Sequence, residues 1–463
     1  MLKLCLCLKE QNREAKPLKY ANFKESSWAG RTNINIGDYM QFIAVKKIYD
    51  KMGINNEEVY YLNYNEIITY DGEEELILPL NYHFWDFVID GKIAISDKIR
   101  PVFIGVVLNS VNTHLDNDTF LQDPYNKEYF LRHAPIGCRD ESSYEAFIKN
   151  GIPAYINGCL TATFDKMDAP LGESLFFIDV PKALMQYIPR EILSSEDLVF
   201  AEQQHFFSQE EIDDYKNIYS YVEKCYEFYK KNAKMIVTSR LHVALPCTAF
   251  GIPVIFVKDI VDERFAFMEH YLPTHNLEQY TNINWNPEIV NIESTKKLIL
   301  EYTISRIEDE VPNLEKAEEI TAIFLNRNKQ KKYFDPNIAV YKNNSRFEEY
   351  ATKHWKGKKG GNIEFALWGA NIHNADYWKN YIEKNYPEAK LTTLFDRYRK
   401  DEWMGIPFRN PEDLKEMPNI NIVVCAVSAV QDALELFKKQ DIDESRFVIV
   451  SDCFISKNDI VER

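Results

Sequence analysis

Short β-branched apolar runs alternate along this chain with amphipathic or capped segments, a pattern that predicts parallel α/β structure. In MIVTSRLHVALPCTAFGIPVIFV, Met235-Ile236-Val237 predicts the end of a strand and Pro253 to Val257 the next one. Val243 to Phe250 between them predicts a helix, with Gly251 placed to end it. Pro246 fits if it lies in the first helical turn, where a missing N–H does no harm. Arg240 and His242 then sit where the strand ends and the helix begins. The same order occurs in PIGCRDESSYEAFIKNGIPAY. Pro135 to Cys138 predicts a strand end, followed by Arg139. Ser142 and Glu145 have capping-box spacing for the next helix. Gly151 and Pro153 end it, and Ala154-Tyr155-Ile156 begins another strand.

The alternation divides the chain into two Rossmann-like halves, residues 1–165 and 166–330. The first carries a strand over Leu2 to Leu8, a helix over Asp38 to Lys51 and a strand over Val102 to Leu108. The second carries strands over Ser174 to Val180 and Val199 to Ala201 and a helix over Ile212 to Asn232. Residues 331–360 are polar and end in the basic run 356–361, which predicts a linker. Residues 361–463 predict a third, smaller Rossmann-like module, with strands over Ile363 to Trp368, Lys390 to Phe395, Asn421 to Val427 and Arg446 to Val450. A glycine after its first strand (Gly369) and an acid after its second (Asp396) outline a nucleotide-binding half-domain, but G-x-G-x-x-G is absent. Gly369 and Asp396 are weak cofactor-binding candidates.

A net charge of -16 disfavours nucleic acid as a partner, so any anion must be held by a few local cations. The eight cysteines show neither CxxC pairs nor zinc spacing, and no metal site is expected. Buried reduced thiols fit a cytoplasmic chain. No apolar run is long enough for an integral membrane segment. A homo-oligomer and peripheral attachment at the inner face of a membrane remain open.

The candidate chemistry lies at strand ends, where open parallel sheets bind ligands. Arg139 and Arg240-Leu241-His242 each precede a helix N-terminus, with its free N–H groups and positive partial charge. Two guanidiniums and an imidazole suit a small, highly charged anion, and His242 can donate a proton near neutral pH. The bland alternatives are a surface ion pair between Arg139 and Asp140, and a core histidine bonded to a backbone carbonyl. In Asn35-Ile36-Gly37-Asp38, glycine permits close backbone approach, and Asp38 can cap the helix or meet a ligand. His83 lies in the aromatic stretch 81–86, which suits either a sugar cleft or a core.

These residues resemble the polysaccharide pyruvyl transferase family. The resemblance rests on residues 35–38, on 137–142 with Gly151 and Gly158-Cys159-Leu160-Thr161, and on 239–242 with 249–253, covering roughly residues 1–330. It implies two Rossmann-like domains in a GT-B-like arrangement. It implies phosphoenolpyruvate as donor, no required cofactor, and a glycan or lipid-linked sugar as acceptor. By carry-over, Arg139, Arg240, Leu241 and His242 hold the donor, and His242 is the acid. Many members have a glycine-rich stretch where this chain has Ile104-Gly105-Val106-Val107-Leu108. The C-terminal module lies outside the resemblance and is similar to Rossmann-like modules appended to some sugar-modifying enzymes. Two rival readings use the same cleft: a glycosyltransferase taking a nucleotide-sugar, and a non-catalytic glycan-binding or assembly protein.

Overall fold

The computed structural model describes residues 19–24, 33–108, 117–259, 263–308, 311–325, 336–355, 363–369, 372–397 and 399–450. The expected strand over Leu2 to Leu8 and the basic run 356–361 lie outside these residues. The chain forms two compact units that part between Tyr333 and Phe334.

The first unit holds two parallel sheets. In one, the strands run Tyr60–Leu62, Lys19–Phe23, Leu76–Leu80, Ile99–Phe103. Ile136–Cys138 and Ala154–Ile156 pair in parallel, and a bridge from Val106 to Cys138 joins them to the sheet's far edge. In the other sheet the order is Leu198–Ala201, Ser174–Ile178, Ala233–Thr238, Val254–Val257, Thr274–His275, again all parallel. Each sheet reverses strand order beside its first strand, a topological switch point of the kind that opens a ligand crevice. Inward apolar residues such as Leu76, Leu78, Ile236 and Val237 are buried, as strands covered on both faces require.

The two halves are stitched together. Asn33–Asn35 pairs antiparallel with Gln204–Phe206, and Ile36 N donates to Gln203 O at 2.9 Å. One continuous apolar core runs through both, from Phe23 and Phe42 to Phe256 and Met268. These are two parallel α/β halves, each with the reversed strand order of a Rossmann-like domain.

Several local expectations are corrected. The strand expected over Val102 to Leu108 ends at Phe103, and Gly105 turns the chain at φ 80°. Val106 and Val107 continue only as isolated bridges. The helix Glu141–Lys149 is capped by Asp140, which accepts from Ser143 N at 2.8 Å; Ser142 instead donates to the same carboxylate. A short polar acid two residues earlier reaches the free N–H groups first.

The second unit is a sheet in the order Ile406–Arg409, Ala389–Phe395, Ile363–Trp368, Asn421–Val424, Phe447–Ile449, with Glu402–Trp403 added antiparallel at the edge. That is the strand order 3-2-1-4-5 of a Rossmann-like module. The segment expected as linker is helical over Pro336–His354. Phe347, Tyr350, Ala351 and Trp355 recur at helical spacing and join this unit's core. The Trp355 indole donates to Asn421 Oδ1 at 3.1 Å, fastening the helix end to the sheet. Polar composition masked a real amphipathic stripe here.

Candidate functional site

At the second switch point Ile178 pairs with Thr238, so Asp179 and Ser239 leave the sheet side by side. Asp179 adopts φ 47°, a left-handed conformation that Asp tolerates better than most residues. It is only 4% exposed and gathers three bonds. Ser239 Oγ donates to its carbonyl. Its Oδ2 accepts from Arg240 Nε at 2.6 Å and from Gln203 N at 3.1 Å. The guanidinium of Arg240 is therefore anchored from the inside, with its side chain a quarter exposed to the site.

Arg240 is also the N-cap of the helix Leu241–Phe250, and no side chain caps that helix. Its positive end is available to an anion. Pro246 lies in the second turn of the helix rather than the expected first. Lacking an N–H, it cannot bond the carbonyl of His242 four residues back. The Tyr226 hydroxyl donates to that carbonyl instead. A helix fault thus becomes a tie that fixes the backbone of His242. Leu241 turns its side chain into the core, so only its backbone can meet a ligand.

The first half supplies the opposite wall. Asn35, rather than Asp38, caps the helix Ile36–Lys51, accepting from Gly37 N at 3.1 Å. Its amide donates to Asp38 Oδ1 at 3.1 Å. A Cβ on Gly37 would stand 3.1 Å from His242 Cβ and 3.2 Å from Asn35 Oδ1. The starts of the two helices, one from each half, therefore approach as closely as glycine allows. Arg139 follows the strand Ile136–Cys138, donates its backbone N–H to Val106 O at 3.0 Å, and is buried. Asp140 is fully buried too, so this is not a surface ion pair. His83 bridges to Val107 beside it.

Electrostatics show that these residues share one place. Burial first pushes the Asp38 carboxyl up to about 7; Arg240 and Arg139 pull it down, Asp86 raises it, and a hydrogen bond with Tyr82 lowers it. Burial, Arg139, His83 and Arg240, in that order, hold the His242 imidazole well below its usual range. His242 is therefore neutral, and among the described residues its Nε2 has no hydrogen-bond partner. That excludes a core histidine satisfied through Nε2 and corrects the expectation of a ready proton near neutral pH.

Asp38 gives a testable linkage. Its folded value lies above its ordinary 3.8, so the folded state holds the extra proton between these values. Its contribution to stability therefore declines as pH rises through this window. Asp38→Asn should melt above wild type near pH 8 and converge with it as pH falls toward 4. At about 1.4 kcal/mol per pKa unit the gain is bounded by roughly 4 kcal/mol. Melting curves that stay parallel across pH would contradict it.

All eight predicted residues of the first unit are accounted for. Asp38, His83, Arg139, Arg240 and His242 interact, Asn35 and Gly37 frame them, and Leu241 adds backbone only. Gly369 and Asp396 belong to the second unit. They leave adjacent strands together, after the paired Trp368 and Phe395. Sequence reading missed Asp179, Gln203 and Tyr226. An acid directly after the strand Ser174–Ile178, and a proline four residues after His242, were the available signals.

Among the described residues, no group of three or more His, Cys, Asp and Glu could hold a metal, and no helix is long and apolar enough to cross a membrane. The described cysteines are free thiols, four of them buried.

Residues 35–258 match the sequence profile described as Polysaccharide pyruvyl transferase. Comparison with curated proteins finds no match. Solved structures give distant likenesses. A functionally uncharacterized protein from Klebsiella pneumoniae subsp. pneumoniae is 14% identical, with a TM-score of 0.30, over 55% of this chain and 88% of that one. A UDP-N-acetylglucosamine 2-epimerase is 12% identical at TM-score 0.32, over 69% of this chain and 100% of that one. The UDP complex of MnaA from S. aureus is 11% identical at TM-score 0.31, with the same coverage.

Proposed function

Residues 35–258 of this chain belong to the polysaccharide pyruvyl transferase family, and from that premise we propose that it moves the pyruvyl group of phosphoenolpyruvate onto a sugar of a polysaccharide or lipid-linked glycan, as a ketal, with release of phosphate. The observation that carries the reading is the convergence of Arg139, Arg240, Asp38 and His242 where the starts of two helices meet.

The donor bears a carboxylate and a phosphate, and the site offers two guanidiniums and an uncapped helix N-terminus. Arg139 and Arg240 hold these groups and offset charge on the departing phosphate. Their arrival reverses the local field. Burial still opposes charge on His242, but the arginines that add to this opposition are then matched by anions, and the imidazole gains a proton. His242 delivers that proton to the methylene carbon of the enol, which becomes a methyl group. One sugar hydroxyl adds at the adjacent carbon, the bond from that carbon to the phosphate oxygen breaks, and a second hydroxyl closes the ketal. The two hydroxyl protons balance the one gained by carbon and the one leaving with phosphate. Asp38, poised at about 7, accepts a hydroxyl proton. The scheme needs no metal or further cofactor.

The test is phosphate release from phosphoenolpyruvate in the presence of a pyruvyl-free polysaccharide, with the ketal detected on the product by its methyl resonance. Phosphate release that requires the acceptor is expected. Turnover of a nucleotide-sugar without turnover of phosphoenolpyruvate would favour glycosyl transfer. Glycan binding with neither turnover would favour a binding protein.

A further inference from the structure

Two side chains at the carboxyl edge of the first sheet have no part in the chemistry above. Asn81 follows the strand Leu76–Leu80 and Asn157 follows Ala154–Ile156; they are 3% and 1% exposed. Asn157 Oδ1 accepts from Gly105 N at 3.1 Å, and its backbone N–H donates to Cys138 O, one residue before Arg139. Among the described residues its Nδ2 has no partner, and neither amide atom of Asn81 has one. Gly105 draws the group together: a Cβ there would stand 2.5 Å from Asn81 Oδ1 and 2.7 Å from Gly158 O.

Buried amide atoms left unpaired are costly, so folded proteins rarely keep them without a use. These NH₂ groups are buried, so a bond from them to an anion satisfies donors that folding has already taken out of bulk solvent. They are also neutral. A further cation at this edge would push the imidazole of His242 still lower, whereas an amide binds an oxygen without adding charge.

We infer that Asn81 and Asn157 bind an oxyanion of the donor, acting with Arg139 as the floor of the site; this rests on the function proposed above. They are specificity residues for the phosphorylated acid rather than participants in proton transfer.

The experiment titrates phosphoenolpyruvate into the full chain as wild type, Asn81→Leu and Asn157→Asp, with a melting curve for each. Asn81→Leu replaces an unpaired amide by an apolar group of similar volume, so it should melt at or above wild type. Asn157→Asp keeps the acceptor for Gly105 N and replaces the NH₂ donor by a carboxylate oxygen that repels an anion placed there, so it covers the case in which the first variant fails to fold. Each should weaken donor binding and raise donor KM by about tenfold or more, with kcat changed less. Inorganic phosphate and pyruvate are run in parallel. Lost phosphate binding assigns the phosphate oxygens to the amides, and loss confined to pyruvate and the donor assigns the carboxylate. A donor KM within about twofold of wild type in both variants overturns the inference. So does an Asn81→Leu protein that melts well below wild type with donor KM unchanged, which would mark a buried structural water. Wild type that binds no phosphoenolpyruvate overturns the proposed function instead, so the two failures are told apart.

Discussion

Phosphate release by a His242→Ala protein should fall by about 10²–10⁴-fold at neutral pH, with donor affinity changed far less, which is the range for loss of a general acid. The substitution is a clean one. Alanine keeps the Cβ that faces Gly37, and the backbone carbonyl still accepts from Tyr226. What disappears is the imidazole and its unpaired Nε2. The pH dependence supplies a second readout. Burial, Arg139, His83 and Arg240, in that order, oppose the proton on His242. A donor with two anionic groups offsets the arginines' share of that opposition, so binding should take up protons and strengthen as pH falls from 8 toward 6.5. In His242→Ala the uptake should fall, leaving only the share of Asp38. An alanine variant that retains wild-type turnover would remove His242 from the chemistry.

Asp179→Ala should destabilise the protein by roughly 3 kcal/mol or more and weaken the donor site at the same time. The carboxylate is buried and holds the Arg240 guanidinium and the Gln203 backbone in one grip. Removing it leaves Arg240 without its inner anchor and an N–H of the inter-half connection unpaired. Alanine is also poorly suited to φ 47°, adding about 1 kcal/mol of backbone strain. Asp179→Asn separates these effects. Asparagine accepts the left-handed backbone, keeps the oxygen that accepts from Gln203 N and Arg240 Nε, and loses the charge. It should recover most of the stability while donor KM stays raised, because a neutral oxygen holds Arg240 less firmly. Denaturant unfolding gives the first quantity and steady-state kinetics the second. An alanine variant within about 0.5 kcal/mol of wild type would show that the grip is incidental.

The sequence exposed the site through its two strand–Arg–helix–Gly–Ile–Pro units, because a parallel sheet brings the residues after each of its strands to one edge. It could not show that the edges of two halves meet. That depends on contacts between distant segments, such as Ile36 with Gln203 and Gly37 with His242. Asp179 was hidden for the same reason: a lone acid after a strand gains meaning only when Arg240 is seen beside it. Pro246 illustrates a subtler limit. The sequence fits it to the first turn, whereas it lies in the second, where Tyr226, from another helix, satisfies the carbonyl it frees. The helix Pro336–His354 was misread because its composition is polar, although its apolar residues keep helical spacing.

The most direct measurement is calorimetric titration of phosphoenolpyruvate into the intact chain, in two buffers that differ in ionisation enthalpy. Saturable binding with net proton uptake, lost on Arg139→Met and not displaced by a nucleotide-sugar, is the predicted result. No binding of phosphoenolpyruvate, with a nucleotide-sugar bound in its place, would contradict it.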